Sequence, residues 1–196
     1  MVMPAAQGHR WTREDVERLV EERDGCTPRY ELVDGDLLVT RAPSRRHQRA
    51  VVEMAVLLHA YVRSQRLGEV SLGPGEIALD GESRFEPDIF VAPAMDGRRA
   101  PGSDPVSNPL LICEVLSPGS ARHDRITKRR AFQRHGVPEY WVIDCDADTF
   151  EVWRPGDARA TLVDDLLTWN PPGCQEPFSR DVRAFFADLA DNAPLA

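Results

Sequence analysis

The spacing of hydrophobic and polar residues predicts a chain that mixes helices and strands. Apolar residues recur at helical spacing in four stretches, at about 12–23, 44–66, 120–136 and 182–189. Strand-like runs lie between them, at 30–33, 37–39, 69–80 (two strands), 86–91, 110–116, 140–145 and 150–153. This order predicts an α/β or α+β fold in which helices cover both faces of a sheet.

The apolar patterns of three of these strands predict their positions in the sheet. The run at 110–116 is apolar at both alternating positions except at Glu114, and 140–145 has a similar pattern, so both should be central strands. The run at 150–153 follows an acidic turn and is expected to be an edge strand. Four prolines and two glycines between 93 and 109 predict a long loop.

Composition is consistent with a single domain and argues against several classes of protein. With 196 residues, 42% of them hydrophobic, we expect one domain at 12–196 after a flexible arm at 1–11. No apolar stretch approaches the roughly 18 residues that cross a bilayer, and no secretory signal opens the chain, so a cytoplasmic location is expected. The four cysteines are widely spaced, which favours reduced thiols.

The charges of the chain are unevenly distributed. A net charge of −8 argues against a protein that coats nucleic acid nonspecifically. Arginines nevertheless cluster at 41–49, where there are four, and at 122–134, where five accompany Lys128, the only lysine of the protein. These clusters could contact phosphates around an acidic centre. Alternatively, they are ordinary solvated faces of helices.

Two acids occur in segments whose neighbours should be buried. Glu114 interrupts an apolar run, and Asp88 directly precedes another at 89–91. A buried carboxylate is costly unless a cation, a metal or backbone donors receive it. If the two strands are neighbours, both acids can meet at one end of the sheet and bind Mg²⁺ or Mn²⁺. Alternatively, Asp88 only begins a strand and Glu114 pairs with an arginine.

Lys128 is predicted to point towards the sheet. On the helix at 120–136 it shares a face with Ala131 and Phe132, whose side chains should pack inward. A compact ammonium there could position a water or stabilise charge on a phosphate. The alternative is a lysine at an ordinary surface position.

Several motifs occur in a characteristic order along the chain. They are the hairpin Tyr-Glu-Leu-Val-Asp-Gly at 30–35, His47, Pro-Asp at 87–88, Glu-Val-Leu-Ser-Pro at 114–118 and Gly-Val-Pro-Glu-Tyr-Trp at 136–141. Together they resemble the bacterial putative restriction endonuclease family of the PD-(D/E)XK nuclease superfamily, over about residues 12–155. The resemblance implies a restriction-endonuclease-like fold, a mixed sheet flanked by helices, with Mg²⁺-dependent hydrolysis of phosphodiester bonds.

The resemblance also implies roles for particular residues. Asp88, Glu114 and the carbonyl of Val115 would bind the metal. The superfamily pattern has a lysine two positions after the second acid, where this chain has Leu116. Lys128, from the following helix, would supply that ammonium.

Two further catalytic candidates follow from the same resemblance. Glu31 matches an early acid of the family, and His47 could move a proton or contact phosphate, although a histidine ending an apolar stripe is often a core residue. The expected function is that of a metal-dependent endonuclease acting on DNA. The alternatives are a catalytically silent member that binds nucleic acid or protein, and a small-molecule hydrolase. A homodimer is expected, with Phe150 or Trp153 on an exposed edge at the contact.

Overall fold

A computed structural model describes residues 2–3, 10–95 and 105–190. The helices are α1 (Arg13–Glu22), α2 (Arg45–Ser64), α3 (Arg129–Arg134), which a π-helical segment (His123–Lys128) precedes directly, and α4 (Val182–Asp188). The strands are β1 (Val2–Met3), β2 (Arg29–Val33), β3 (Asp36–Thr40), β4 (Gly68–Leu72), β5 (Ile89–Pro93), β6 (Leu111–Val115), β7 (Tyr140–Asp144), β8 (Thr149–Trp153), β9 (Thr161–Val163), β10 (Leu166–Trp169) and β11 (Phe178–Asp181).

Six of these strands form a mixed sheet, which confirms the predicted fold class. Their order is β4-β5-β6-β7-β8-β9. Only β6 and β7 run parallel; the other neighbours are antiparallel. The π-helical segment and α3 form the crossover between β6 and β7, as a parallel pair requires. Smaller sheets, β1-β3-β2 and β10-β11, accompany it.

Helices and loops bury both faces of the six-stranded sheet. Trp141 of β7 lies in a core with Met54 of α2 and residues of α4, whereas its neighbour Tyr140 lies in a second core with Phe132 of α3. Successive strand residues point to opposite faces, so a central strand needs apolar side chains at both parities. This is the pattern from which the sequence predicted β6 and β7 as central strands.

Local signals end or begin the elements where the sequence predicts. The side chains of Thr12, Ser44 and Asp181 accept backbone hydrogen bonds as N-caps of α1, α2 and α4. Gly136 has a φ of +70° directly after the last helical turn of the crossover. The Asp-Gly pair at 34–35 has positive φ at both residues, as the tight hairpin between β2 and β3 requires.

Three predictions about the strands and the crossover helix were wrong in part. The interval 69–80 holds one strand, β4, after which Gly73, Pro74 and Gly75 break the extended run, and Ile77 makes only isolated bridges. Ser120 does not cap the crossover helix; its hydroxyl lies 3.3 Å from the amide of Ser117. The third concerns the strand at 150–153, which was expected at the edge of the sheet but pairs with a further strand.

The strand β8 is not an edge of the sheet. It pairs with β9, which the sequence did not predict, and the side chain of Phe150 is completely buried. The exposed edge expected to join two copies through Phe150 or Trp153 is therefore covered within the chain itself.

Two sequence expectations concern parts of the chain that the structure covers incompletely. Most of the loop at 93–109 lies outside the described residues. Most of the arm at 1–11 does too, although β1 pairs with β3 and the amide of Trp11 donates to the carbonyl of Gly35 at 3.0 Å. The division into arm and domain stays a prediction. In the described parts of the chain, no helix combines the length and apolarity needed to cross a bilayer.

Candidate active site

Asp88 and Glu114 lie side by side at one end of the sheet. Asp88 directly precedes β5, Glu114 is near the end of β6, and the antiparallel register pairs Ile89 with Cys113. The amide of Asp88 lies 3.2 Å from Oε2 of Glu114, and the amide of Val115 donates to Oδ2 of Asp88 at 2.9 Å. The two acids are only 6% and 1% exposed. The strands that carry them are neighbours, as the metal-site hypothesis required.

The only lysine of the protein points into this acidic cluster. Lys128 is 2% exposed, and its Nζ lies 2.8 Å from Oε1 of Glu114 and 2.8 Å from Oε2 of Glu31. A third acid, Asp124, places Oδ1 at 3.3 Å. The alternative of a surface lysine is therefore wrong, and the predicted inward direction is correct.

The first hairpin supplies Glu31 to the cluster. Leu32 and Arg84 exchange backbone hydrogen bonds, which fixes the segment around residue 84 alongside β2. The amide of Glu86 then donates to Oε1 of Glu31 at 2.9 Å. One oxygen of Glu31 is thus held by the backbone while the other faces Lys128, and the residue is completely buried.

The side chains of Arg29 and His47 contact the carboxylate of Asp88. Nη1 of Arg29, from β2, donates to Oδ1 at 2.8 Å and also to the carbonyl of Glu86 at 3.1 Å. Nε2 of His47, in the first turn of α2, lies 3.1 Å from Oδ2. His47 therefore both extends the apolar stripe of α2 and contacts a candidate metal ligand.

Sequence reasoning missed two members of this cluster, Arg29 and Asp124. Arg29 is one of 23 arginines, so residue type alone gave no signal. Asp124 was detectable, because it lies one turn before Lys128 on the face that continues to Ala131 and Phe132. An acid on that buried stripe is as costly as Glu114 in its strand.

Burial and charge act on the two candidate ligands in opposite net directions. Burial raises the pKa of Asp88, but the hydrogen bond from His47 and the charge of Arg29 outweigh it, and the net pKa is lowered. For Glu114, burial raises the pKa well above its ordinary value despite the opposing charge of Lys128. The neighbouring carboxylates, among them Asp88 and Asp124, raise it further.

Lys128 remains charged in spite of its burial. Burial lowers the pKa of its ammonium, but the carboxylates of Glu114, Glu31 and Asp124 outweigh that effect and raise the pKa well above its ordinary value. The pKa of Asp124 is raised, chiefly by burial, against the charge of Lys128. Burial and the neighbouring carboxylates therefore favour retention of a proton on Glu114 and Asp124.

The donor set fits a hard divalent cation in its chemistry. Among the described residues, four buried acids, Glu31, Asp88, Glu114 and Asp124, pair with two permanent cations, the side chains of Arg29 and Lys128. An additional positive charge would balance them, and carboxylate and carbonyl oxygens are the ligands that Mg²⁺ and Mn²⁺ prefer.

The acids are nevertheless arranged around protein cations. Within residues 10–95 and 105–190, no group of three or more histidine, cysteine, aspartate or glutamate side chains is arranged to hold a metal ion. Lys128 contacts Oε1 of Glu114, and Arg29, His47 and the amide of Val115 contact Asp88. A metal at Asp88 and Glu114 would have to compete with these contacts.

A cleft and a smaller pocket, both lined by described residues, reach the cluster from the surface. A cleft of about 550 Å³ is lined by His47 together with Arg41, Arg46 and the turn at 117–119. A smaller pocket of about 170 Å³ is lined by Asp88 and Arg29, and Pro43 lines both. The first arginine cluster therefore lies at an entrance to the site.

Most of the second arginine cluster has partners within the fold. Arg125 donates to Asp144 at 2.6 Å, the guanidinium of Arg129 lies 4.6 Å from the ring centre of Trp153, and Arg134 pairs with Asp34. These arginines join the crossover helix to its neighbours. Of the two clusters, the one at 41–49 contributes Arg41 and Arg46 to the cleft beside His47.

Comparisons with known proteins agree with this architecture. The model of the Uma2 family, described as "Putative restriction endonuclease", matches residues 13–181. An uncharacterised protein of Synechocystis sp. is 25% identical over 154 residues, 77% of this chain and 86% of that protein. A crystal structure of a putative nuclease belonging to DUF820 from Anabaena variabilis superposes with a TM-score of 0.73 at 20% identity, covering 89% of this chain and 98% of that one. The chain belongs to the Uma2 family of putative restriction endonucleases.

Proposed function

We propose that this protein is a metal-dependent endonuclease that hydrolyses phosphodiester bonds of DNA. The observation that carries the proposal is the meeting of Asp88, Glu114 and Lys128, which are distant in sequence, at one end of the sheet. Burying so many charges costs several kcal/mol per ion, more than a purely structural cluster of this kind returns. Membership of a family of putative nucleases supports the same conclusion.

Asp88, Glu114 and the carbonyl of Val115 would hold Mg²⁺ or Mn²⁺. The carbonyl of a strand residue points to the same side as its amide, and the amide of Val115 points at Asp88. When bound, such a metal lowers the pKa of a water ligand and polarises the scissile phosphate.

The remaining residues would supply charge and orientation. Lys128 places an ammonium beside Glu114, where it can stabilise the charge that develops on the phosphate. Glu31 holds that ammonium through one oxygen. His47, at the cleft and against Asp88, is placed to contact a phosphate or to transfer a proton. Lys128 thus performs, from the crossover helix, the task that Leu116 cannot perform from β6.

The cleft beside His47 supports DNA as the substrate. Arg41 and Arg46 line it, and arginine is well suited to bidentate contacts with phosphates. Arg46 lies 3.5 Å from both Asp146 and Asp148, so DNA would exchange a weak, exposed ion pair for a phosphate contact. A cytoplasmic location, where DNA is accessible in a bacterium, is part of the proposal.

Cleavage of plasmid and single-stranded DNA in the presence of Mn²⁺ tests this function. Wild-type protein is expected to cut, and Asp88→Ala, Glu114→Ala and Lys128→Ala are expected to lose about 100-fold or more of the rate. Asp36→Asn, which changes an exposed acid of β3, is the matched control and should cut like wild type. Cleavage that persists in all three variants would come from a contaminant.

A binding protein without catalysis is the second candidate, because Arg29 and Lys128 already occupy the acids. It predicts DNA binding by fluorescence anisotropy with no cleavage at any Mn²⁺ or Mg²⁺ concentration. A small-molecule hydrolase is less favoured, since the larger opening carries Arg41 and Arg46.

A homodimer stays a prediction of duplex cleavage, since single-site nucleases cut both strands with two copies. It no longer rests on Phe150 or Trp153, whose strand is covered by β9. Light scattering after size-exclusion chromatography should give the mass of two chains; the mass of one chain would contradict the dimer.

A further inference from the structure

Asp124 has no role in the metal site proposed above, yet it is buried against Lys128. Asp124 is 1% exposed, and its Oδ1 lies 3.3 Å from Nζ of Lys128. Oδ1 makes no hydrogen bond within the described residues, so its contact with the lysine is purely electrostatic. The hydroxyl of Ser120 instead pairs with that of Ser117 at 2.9 Å.

The pair lies in the π-helical segment that crosses over the sheet. Asp124 and Lys128 are both within His123–Lys128, the only π-helical stretch in the described parts of the chain. Such segments interrupt the regular helical ladder and occur frequently at functional sites. An ion pair that merely stabilises a helix would lie on the exposed face, where desolvation costs little. This pair lies on the buried face.

Lys128 has three N–H donors and three carboxylate neighbours, but the neighbours are not equivalent. Glu114 is the proposed metal ligand, so a bound cation would compete with Lys128 for its oxygens. Glu31 is tied through its other oxygen to the amide of Glu86. Oδ1 of Asp124, in contrast, is bonded neither to the proposed metal nor to a backbone amide of the described residues.

We propose that Asp124 is a positioning residue for Lys128: it keeps the ammonium beside Glu114 when Glu114 engages a divalent cation. The inference rests on the proposed nuclease function, which it deepens by assigning this acid. Lys128 would touch the phosphate, whereas Asp124 acts only through Lys128.

The single lysine allows a direct test that needs no activity. Protein labelled with ¹⁵N at the lysine side chain gives one ammonium signal, that of Lys128. In wild type the signal is expected to persist when Mg²⁺, a diamagnetic probe, is added. In Asp124→Asn we expect exchange of the ammonium with water to be about tenfold faster once Mg²⁺ is present, because one charged partner is lost.

Glu17→Gln is the matched control. It also removes an ion pair between residues four positions apart on a helix, Glu17 and Arg13, but on the exposed face of α1. Its ammonium signal should equal that of wild type. An unchanged signal in Asp124→Asn with Mg²⁺ would overturn the inference. If Asp124→Asn does not fold, Asp124→Glu moves the same carboxylate by one methylene without removing its charge, and exchange should accelerate in the same direction; no acceleration would count against the proposal.

A double-mutant cycle separates positioning from a purely structural effect. In Mn²⁺-dependent cleavage, Asp124→Asn is expected to lower kcat about 10- to 100-fold, because a misplaced group loses this much. KM should change less than about twofold. In the Lys128→Ala background the same substitution should cost nothing more.

The two possible failures are distinguishable. Wild-type protein that cuts no DNA removes the proposed function. Wild-type protein that cuts, together with a full Asp124→Asn effect in the Lys128→Ala background, removes the Asp124 inference alone.

Discussion

The backbone amide of Asp88 faces the carboxylate of Glu114, 3.2 Å from its Oε2. In return, the amide that follows Glu114 donates to Oδ2 of Asp88 at 2.9 Å. These reciprocal contacts join the start of β5 to the end of β6, so the two acids are set by the sheet and not by flexible loops. A site built on strand ends in this way is held more rigidly than one built on loops.

Metal binding should stabilise the fold through these two acids. At a tenfold excess of Mn²⁺ over Kd, linkage gives about 1.4 kcal/mol. For a chain of this length that corresponds to a rise in Tm of about 3 to 6 °C. Differential scanning fluorimetry with and without Mn²⁺ checks it. Asp88→Asn and Glu114→Gln should lose the rise and Asp36→Asn should keep it; an equal rise in all of them would place the metal elsewhere.

Loss of the buried lysine should destabilise the protein strongly. Lys128→Met leaves three buried carboxylates facing one another, and breaking such a pair costs about 3 to 5 kcal/mol. We expect Mn²⁺ to restore more stability to this variant than it adds to wild type, because the cation replaces the missing charge. Urea unfolding with and without Mn²⁺ measures both quantities. A destabilisation below about 1 kcal/mol, the range of an exposed pair, would contradict the role of the ammonium.

Acid stability should depend in part on Asp144. Burial raises the pKa of this carboxyl, but hydrogen bonds from Arg125 and from the amides of Ala147 and Asp146 outweigh it and lower the pKa. The unfolded chain then binds more protons than the folded one below about pH 4, so stability falls as the pH drops through that range towards the folded pKa.

Asp144→Asn should remove that dependence. The amide oxygen can still accept from Asp146 and Ala147, which bond Oδ1 in wild type, while the ion pair with Arg125 is lost. At pH 7 the variant should be less stable by up to about 1 kcal/mol, since the pair is partly exposed. Urea unfolding between pH 7 and about pH 2 should show the difference from wild type shrinking as acid is added. A constant difference would rule out this titration.

Gly68 should not tolerate a side chain. Its φ is +154°, and a Cβ there would lie 1.9 Å from the carbonyl oxygen of Ala92 in the adjoining strand β5. Gly68→Ala is therefore expected to cost more than about 1 kcal/mol. Gly81→Ala is the control, because nothing lies within 4 Å of its Cβ position and its φ is not positive. Denaturant midpoints compare the two; equal midpoints would contradict the proposed close approach.

The residues that could be predicted from the sequence are those that violate a pattern. Glu114 interrupts an apolar strand, and Lys128 shares a helix face with Phe132. The pattern therefore predicted that each charged side chain is buried, as the structure shows. The Asp-Gly hairpin and the caps Thr12 and Ser44 depend on chemistry within a few residues, which sequence displays directly.

The features that could not be predicted from the sequence depend on contacts between distant segments. Arg29 meets Asp88 across 59 positions of the chain, and nothing near Arg29 distinguishes it from the other arginines. The strand β9 has only three residues, too few for an alternating pattern, so β8 was expected to be the edge. The pairing that covers Phe150 is set by tertiary packing, which local propensity does not encode.

The burial of the only lysine allows local opening of the protein to be measured by chemical labelling. A lysine-directed reagent can modify the side chain of Lys128 only when the crossover helix separates from the strands beneath it. The rate of that modification therefore measures how often the acidic cluster is exposed to solvent. Any nucleic acid or metal that keeps the cluster closed should slow the labelling of Lys128. The labelling rate would then show whether such a ligand is bound, without an attached probe.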